Sequence, residues 1–184
     1  MTCIVALEHD GNVWMGGDAA ATRDHDVVCR ANSKVFKNGE FLIGFSGSFR
    51  IGQLLQYSFF PPEQDFTQSE VEYLVTNFID SLRELLQDKG AIMKEQEGDA
   101  QDSEFILGYK GKIYVIEPDF NIGRPITPYT SCGTGSSYAM GALYVLSEAN
   151  LEPKHKVEKA LQAAAEYCTE VKAPFTILSQ SWRK

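Results

Sequence analysis

The order of elements written in this 184-residue chain predicts an α+β domain in which two antiparallel sheets carry helices on their outer faces. Two observations lead there. The turn signals Asp10-Gly11, Asn38-Gly39 and Lys110-Gly111 each join two apolar strand-like runs, and a tight turn can join only antiparallel neighbours. The runs also come in blocks: strands, two helices, strands, two helices, a strand. A parallel doubly wound sheet satisfies neither observation.

The elements follow in order. Cys3 to Leu7 (CIVAL) is a short apolar run rich in β-formers, and Val13 to Met15 is its return strand. Gly16-Gly17 lets the backbone pack closely before Asp18, and a hairpin of this size brings Asp18 back towards Thr2. A third strand, Val27 to Cys29, leads on to Lys34. Lys37 to Glu40 (KNGE) turns between Val35-Phe36 and Phe41 to Ile43. Gly44 to Gly47 (GFSG) closes that strand and enters a helix from Ser48 to Phe60, weakened at Gly52 and ended by Pro61-Pro62. Thr67 or Ser69 caps the next helix, Glu70 to Asp88, where Leu74, Phe78, Ile79, Leu82, Leu85 and Leu86 recur at helical spacing. Such a stripe is core.

Lys89 to Ser103, with the acidic run EQEGDAQD, reads as a solvated loop rather than a metal site. Glu104 to Tyr109 and Lys112 to Glu117 form a further hairpin. Asn121 to Tyr129 is a loop with two prolines, and Thr130 to Cys132 enters the turn Gly133-Thr134-Gly135-Ser136. Helices are predicted over Ser136 to Asn150 and Pro153 to Lys172, the proline suiting a helix start. Phe175 to Leu178 is the last strand.

With 43% hydrophobic residues the chain can bury one sizeable core, so residues 1–184 are expected to form a single domain. The net charge of −8 argues against nucleic acid and anionic membranes as partners. No stretch approaches the roughly 20 apolar residues of a membrane span, and the N-terminus lacks a basic, apolar signal segment. Cys3, Cys29, Cys132 and Cys168 have neither metal-type nor disulfide-framework spacing. Reduced thiols in the cytoplasm are the expectation.

Thr2 stands directly behind Met1, so removing one residue would expose an α-amine beside a hydroxyl, a self-contained base and nucleophile. A free α-amine titrates near ~7.7–8.0, and a nearby lysine ammonium lowers that further. Lys34 is placed to act so, with Asp18 orienting it. With Met1 in place the Thr2 nitrogen is an amide and cannot be a base. His9, His25 and His155 are flanked by charged residues and read as surface groups. Ser33 points to the face opposite Lys34 and makes no dyad with it.

Thr2, Gly16-Gly17-Asp18 with Thr22, and Lys34 ahead of Val35-Phe36 occur in an order and at separations that resemble the start of proteasome β-type subunits, on the side of the bacterial HslV-like peptidases. The resemblance extends over Phe41 to Gly47 (FLIGFSG), Gly133 to Leu143 (GTGSSYAMGAL) and the helix-to-strand end, most of the length with the middle loosest. It implies the four-layer α-β-β-α sandwich of N-terminal-nucleophile hydrolases and a threonine endopeptidase with Thr2 as nucleophile and its own amine as base. Gly44 rather than Gly47 would donate its N–H to the oxyanion. Thr134 takes the place of a family serine, and Glu166 that of a supporting aspartate. The pocket for the residue before the scissile bond would be lined by Ala21, Asn32, Phe36, Leu42, Ser46 and Arg50. It would favour medium to large apolar residues if Arg50 points away. No cofactor is required, but backbone carbonyls of Ala165, Cys168 and Val171 match positions that hold a monovalent cation. The resemblance further implies a homo-oligomeric ring of six or seven subunits, stacked as a double ring, with an ATP-dependent unfoldase and unfolded protein or peptide as substrate. Two other readings stay open at this point: a catalytically silent ring with a scaffold role, and an N-terminal-nucleophile amidase acting on a small molecule.

Overall fold

The structure is a computed structural model that describes residues 2–23, 26–95, 98–100 and 102–182. His25 and part of the acidic run (Gln96, Glu97 and Gln101) lie outside the described residues. The first sheet holds β1 (Ile4–His9), β2 (Asn12–Gly17), β12 (Tyr129–Cys132) and β13 (Thr176–Ser181) in the order β12-β1-β2-β13. The second holds β5 (Val35–Asn38), β6 (Phe41–Ser46), β9 (Glu104–Tyr109), β10 (Lys112–Ile116) and β11 (Ile122–Gly123) in the order β11-β10-β9-β6-β5. Every pairing is antiparallel.

Three apolar clusters separate four layers. Ile4, Ala6, Val13, Met15, Val35, Leu42, Ile106 and Ile113 fill the space between the sheets. Val5 and Leu7, on the other face of β1, pack against α4 (Ser136–Ser147) and α5 (Pro153–Tyr167). Phe36, Ile43, Phe105 and Leu107 face α1 (Phe49–Tyr57) and the helical run made of α2 (Glu70–Tyr73), a π stretch (Leu74–Phe78) and α3 (Ile79–Asp88). The period-2 alternation of each central strand sends successive side chains into different clusters. This is the α-β-β-α sandwich.

Local chemistry explains most boundaries. Asp10 (φ 49°) with Gly11 (φ 70°), and Lys110 (φ 48°) with Gly111 (φ 75°), form two-residue turns with both centres at positive φ, as the twist of a tight hairpin requires. Ser48 caps α1 by accepting from the Ile51 N–H at 3.4 Å, and Ser69 with Glu72 makes a reciprocal capping box.

Several expectations need correction. The turn after β5 is Gly39-Glu40, one residue later than Asn38-Gly39, because Asn38 pairs with Phe41 and its amide instead donates to the Leu55 and Phe59 carbonyls at 2.9 Å. The predicted third strand, now β4 (Asp26–Cys29), joins neither sheet but pairs with β3 (Ala20–Arg23) as a separate ribbon. Within 89–103 lies another short ribbon, β7 (Met93–Glu95) with β8 (Gly98–Ala100), where a structureless loop was expected. The last helix ends at Tyr167, five residues early, because Cys168 turns extended (φ −107°, ψ 114°). Gly52 is a packing requirement rather than a weakness: a Cβ there would lie 2.3 Å from the Phe45 ring.

Gly44 is where the sheets approach most tightly, since a Cβ would meet Ile4 at 2.6 Å and the Met15 sulfur at 2.7 Å. Gly44→Ala is expected to lower stability by about 1–3 kcal/mol through overpacking. Thermal unfolding should record a fall of several degrees; an unchanged midpoint would contradict this packing.

Candidate active site

The β1–β2 register assembles the site. Ile4 pairs with Gly17, so Asp18 emerges beside Cys3. The Asp18 carboxylate accepts the Cys3 N–H at 3.0 Å on Oδ1 and the Ala20 N–H at 2.9 Å on Oδ2. It also accepts the Lys172 N–H at 3.4 Å, from the segment entering β13. Lys34, just ahead of β5, brings its Nζ to 2.8 Å from Asp18 Oδ1, and both side chains are essentially inaccessible, at 1% and 0%.

A buried ion pair is costly to desolvate and is kept only where hydrogen bonds satisfy the remaining lone pairs. Asp18 meets that condition. Burial pulls the Lys34 pKa below its usual value, and the Asp18 charge and hydrogen bond oppose the fall. The result is an ammonium held beside the chain terminus that releases its proton more readily than an ordinary lysine.

Thr2 itself is buried. Its backbone N–H donates to Thr134 Oγ1 at 3.2 Å, and the Thr134 hydroxyl donates to the Thr2 carbonyl at 3.3 Å. The Gly135 N–H reaches the same carbonyl at 3.1 Å. Gly133 (φ 89°) allows this approach, because a Cβ there would lie 2.3 Å from the Thr2 oxygen and 2.8 Å from Ser46 Oγ. The neighbouring Cys3 thiol is pushed up to about 12 by burial, so it stays neutral.

The structure therefore brings Thr2, Asp18, Lys34 and Thr134 together, with Ser46 beside the Gly133 turn. Other expected residues lie elsewhere. The Phe45 N–H donates to the Lys34 carbonyl at 3.1 Å, so strand alternation turns the Gly44 N–H towards β9, where Ile106 is its partner. Gly44 is thus held in a ladder and is not an oxyanion donor as placed here. Glu166 is exposed on α5, away from the face that buries Val157, Leu161 and Ala164. Phe36 and Leu42 lie on opposite faces of their sheet, in different clusters, and cannot line one pocket. Ala21 is buried in β3, but Asn32 is exposed. Arg50 is exposed and lines an outward pocket with Lys89 and Asp102. The Cys168 carbonyl already accepts the Val171 N–H at 3.2 Å, closing the turn after α5, with Ala165 in the last helical turn.

Sequence reasoning missed an aromatic wall beside Lys34. Phe36, Phe45 and Phe49 follow one another with ring centroids 6.4 Å and 5.8 Å apart, and Lys34 Nζ lies 5.9 Å from the Phe49 ring. The Arg30 guanidinium covers the same ring at 4.2 Å. The spacing of Phe45 and Phe49 across the GFSGSF turn was the available signal.

A buried threonine just ahead of a central strand, beside a buried lysine–aspartate pair in an α-β-β-α sandwich, fits the N-terminal-nucleophile hydrolase fold. No family model matches the chain. It is 30% identical over 181 residues to the ATP-dependent protease subunit HslV of Caldicellulosiruptor saccharolyticus, covering 96% of this chain and 97% of that protein. Its fold is similar to BPH of Thiobacillus denitrificans in complex with epoxomicin (TM-score 0.81, 16% identity, all of both chains). It is also similar to the HslV of Trypanosoma brucei (TM-score 0.69, 16% identity, 98% of this chain and 99% of that one). The chain belongs to the HslV family of proteasome β-type peptidase subunits.

Because the Lys34 pKa lies below its usual value of 10.5, a function that needs its ammonium should fail on the alkaline side before that pH. The kcat/KM profile for peptide hydrolysis is expected to fall in a single step below pH 10.5. A plateau reaching beyond that value would show that the lysine charge is not used.

Proposed function

We propose that the chain is the threonine endopeptidase subunit of a self-compartmentalising homo-oligomeric ring, active once Met1 is removed. The observation that carries this reading is the burial of Lys34 and Asp18 as a fully hydrogen-bonded pair next to Thr2. A surface peptide-binding role has no use for such an arrangement, whereas acyl transfer from an N-terminal nucleophile does.

In the processed protein, Thr2 Oγ attacks the peptide carbonyl and the Thr2 α-amine takes the hydroxyl proton, through a water, then returns it to the leaving amine. The Lys34 ammonium lowers the α-amine pKa and so keeps the base neutral at working pH. Asp18 holds Lys34 in place. Thr134, which meets the Thr2 nitrogen at 3.2 Å, orients the amine. A monovalent cation at the carbonyls of Ala165, Cys168 and Val171 would brace the turn after α5, where a helix C-terminus already favours positive charge. The residue before the scissile bond would lie against the half-buried ring of Phe49 beside Lys34, where burying a leucine-sized side chain contributes roughly 1.5–3 kcal/mol.

A peptidase whose nucleophile is its own terminus needs enclosure. Rings of six or seven subunits, stacked in pairs, meet that need, and the name of the Caldicellulosiruptor relative, an ATP-dependent protease subunit, supports an ATP-driven unfoldase as partner. The expected location is the cytoplasm. Among the described residues no helix is long and apolar enough to cross a membrane, and all four cysteines are free.

Native mass spectrometry of the expressed protein should give a ring whose subunits lack one methionine. On that material Thr2→Ala should abolish hydrolysis of fluorogenic peptides, and Lys34→Ala should slow it by about a thousandfold. Cleavage should be faster after leucine or tyrosine than after glutamate. Rings that lose Met1 yet hydrolyse nothing would instead mark a silent, scaffolding ring, and near-normal turnover in either variant would remove the mechanism.

A further inference from the structure

The Phe49 ring, half-buried at the start of α1, has a second cation besides Lys34. The Arg30 guanidinium lies over it, with Cζ 4.2 Å from the ring centroid. Phe49 in turn meets the buried ring of Phe45 edge-on, at 84° and 5.8 Å between centroids, so its own position is set by the core. The Arg30 backbone is tied to the site as well. Its N–H donates at 2.9 Å to the carbonyl of Ala19, the residue after Asp18. One ring is thus shared by the buried ammonium of the Lys34–Asp18 pair and an exposed guanidinium.

The two cations differ in what they have left to bind. Lys34 is held by Asp18 at 2.8 Å. Arg30 takes part in none of the ion pairs among the described residues, although Asp26 stands close in sequence on β4. A guanidinium stacked on a ring uses its face there and keeps its in-plane N–H groups, the edge that matches a carboxylate as a two-pronged fork. Shielding Phe49 from water would use only the aliphatic stem and the flat face of the group. In a chain of net charge −8, a free fork beside the catalytic lysine is the feature that shielding leaves unexplained.

We propose that Arg30 is a specificity-determining residue that binds an acidic side chain of the substrate, next to the apolar residue packed on Phe49. The preferred substrates are then peptides with an apolar residue before the scissile bond and Asp or Glu beside it. This deepens the peptidase reading and rests on it for its kinetic form.

Internally quenched peptides with leucine before the scissile bond, and Glu or Gln at the position on either side of that leucine in turn, test the proposal. In Met1-free wild type, kcat/KM should be about fivefold higher for Glu than for Gln at one of the two positions, the scale of an exposed ion pair. The ratio should shrink in molar salt, where the Debye length falls to about 3 Å. Arg30→Ala should bring it to about one with turnover of the Gln peptide little changed, and Arg30→Lys, which keeps the charge without the fork, should fall between. Fluorescence anisotropy of the same peptides on Thr2→Ala rings repeats the comparison without turnover. A Glu preference in binding that Arg30→Ala removes, in a protein whose wild type hydrolyses nothing, would support the Arg30 assignment while removing the peptidase reading. Equal binding and turnover of Glu and Gln peptides in the wild type, or a Glu preference that persists in Arg30→Ala, would overturn the proposal.

Discussion

The ion pair between Lys34 and Asp18 constrains everything around it. Two opposite charges with essentially no access to water are stable only if every remaining lone pair is satisfied, and removing one partner leaves a buried charge costing about 3–5 kcal/mol. Satisfying Asp18 recruits backbone from three places: Cys3 in the first turn of chain, Ala20 after the GGD turn, and Lys172 after the last helix. The N-terminus, the β2–β3 connection and the C-terminal segment are thereby tied to one carboxylate. Thr2 inherits its position from that knot.

The sandwich supplies the remaining constraint, which is close approach. Gly44 and Gly17 let the inner faces of the two sheets meet over Ile4, Met15 and Val35. Gly133 lets the turn after β12 come against the Thr2 carbonyl at a φ of 89°, a conformation that a residue with a Cβ rarely adopts. A nucleophile at a chain terminus is otherwise free to fray. Here both of its backbone polar groups are held by that turn.

What could be read in the sequence was what depends on local arithmetic. The two-residue turn at Asp10-Gly11 fixes the β1–β2 register, and that register alone puts Asp18 beside the terminus. Alternation along β5 and β6 is equally legible, and it outweighs the pocket lining that the resemblance implies. Any two-residue turn at Asn38, Gly39 or Glu40 places Phe36 opposite odd-numbered residues of the return strand, so Leu42 could never share its face. Helical period likewise excludes Glu166 from the buried stripe of Val157, Leu161 and Ala164. Contacts donated by backbone groups could not be read: neither the Lys172 N–H on the Asp18 carboxylate nor the Gly135 N–H on the Thr2 carbonyl depends on the side chain of the donating residue. The direction of the Gly44 N–H follows from the strand register and was also hidden.

The central claim is that Thr2, once freed of Met1, is a nucleophile made competent by Lys34. An epoxyketone such as epoxomicin reports this directly, because its stable adduct needs both the α-amine and the hydroxyl of one N-terminal residue. Peptide mapping of Met1-free rings after treatment should find the adduct on Thr2 in the wild type and strongly slowed labelling in Lys34→Ala. Rings with a free Thr2 that remain unlabelled, or that label equally fast without Lys34, would contradict the account.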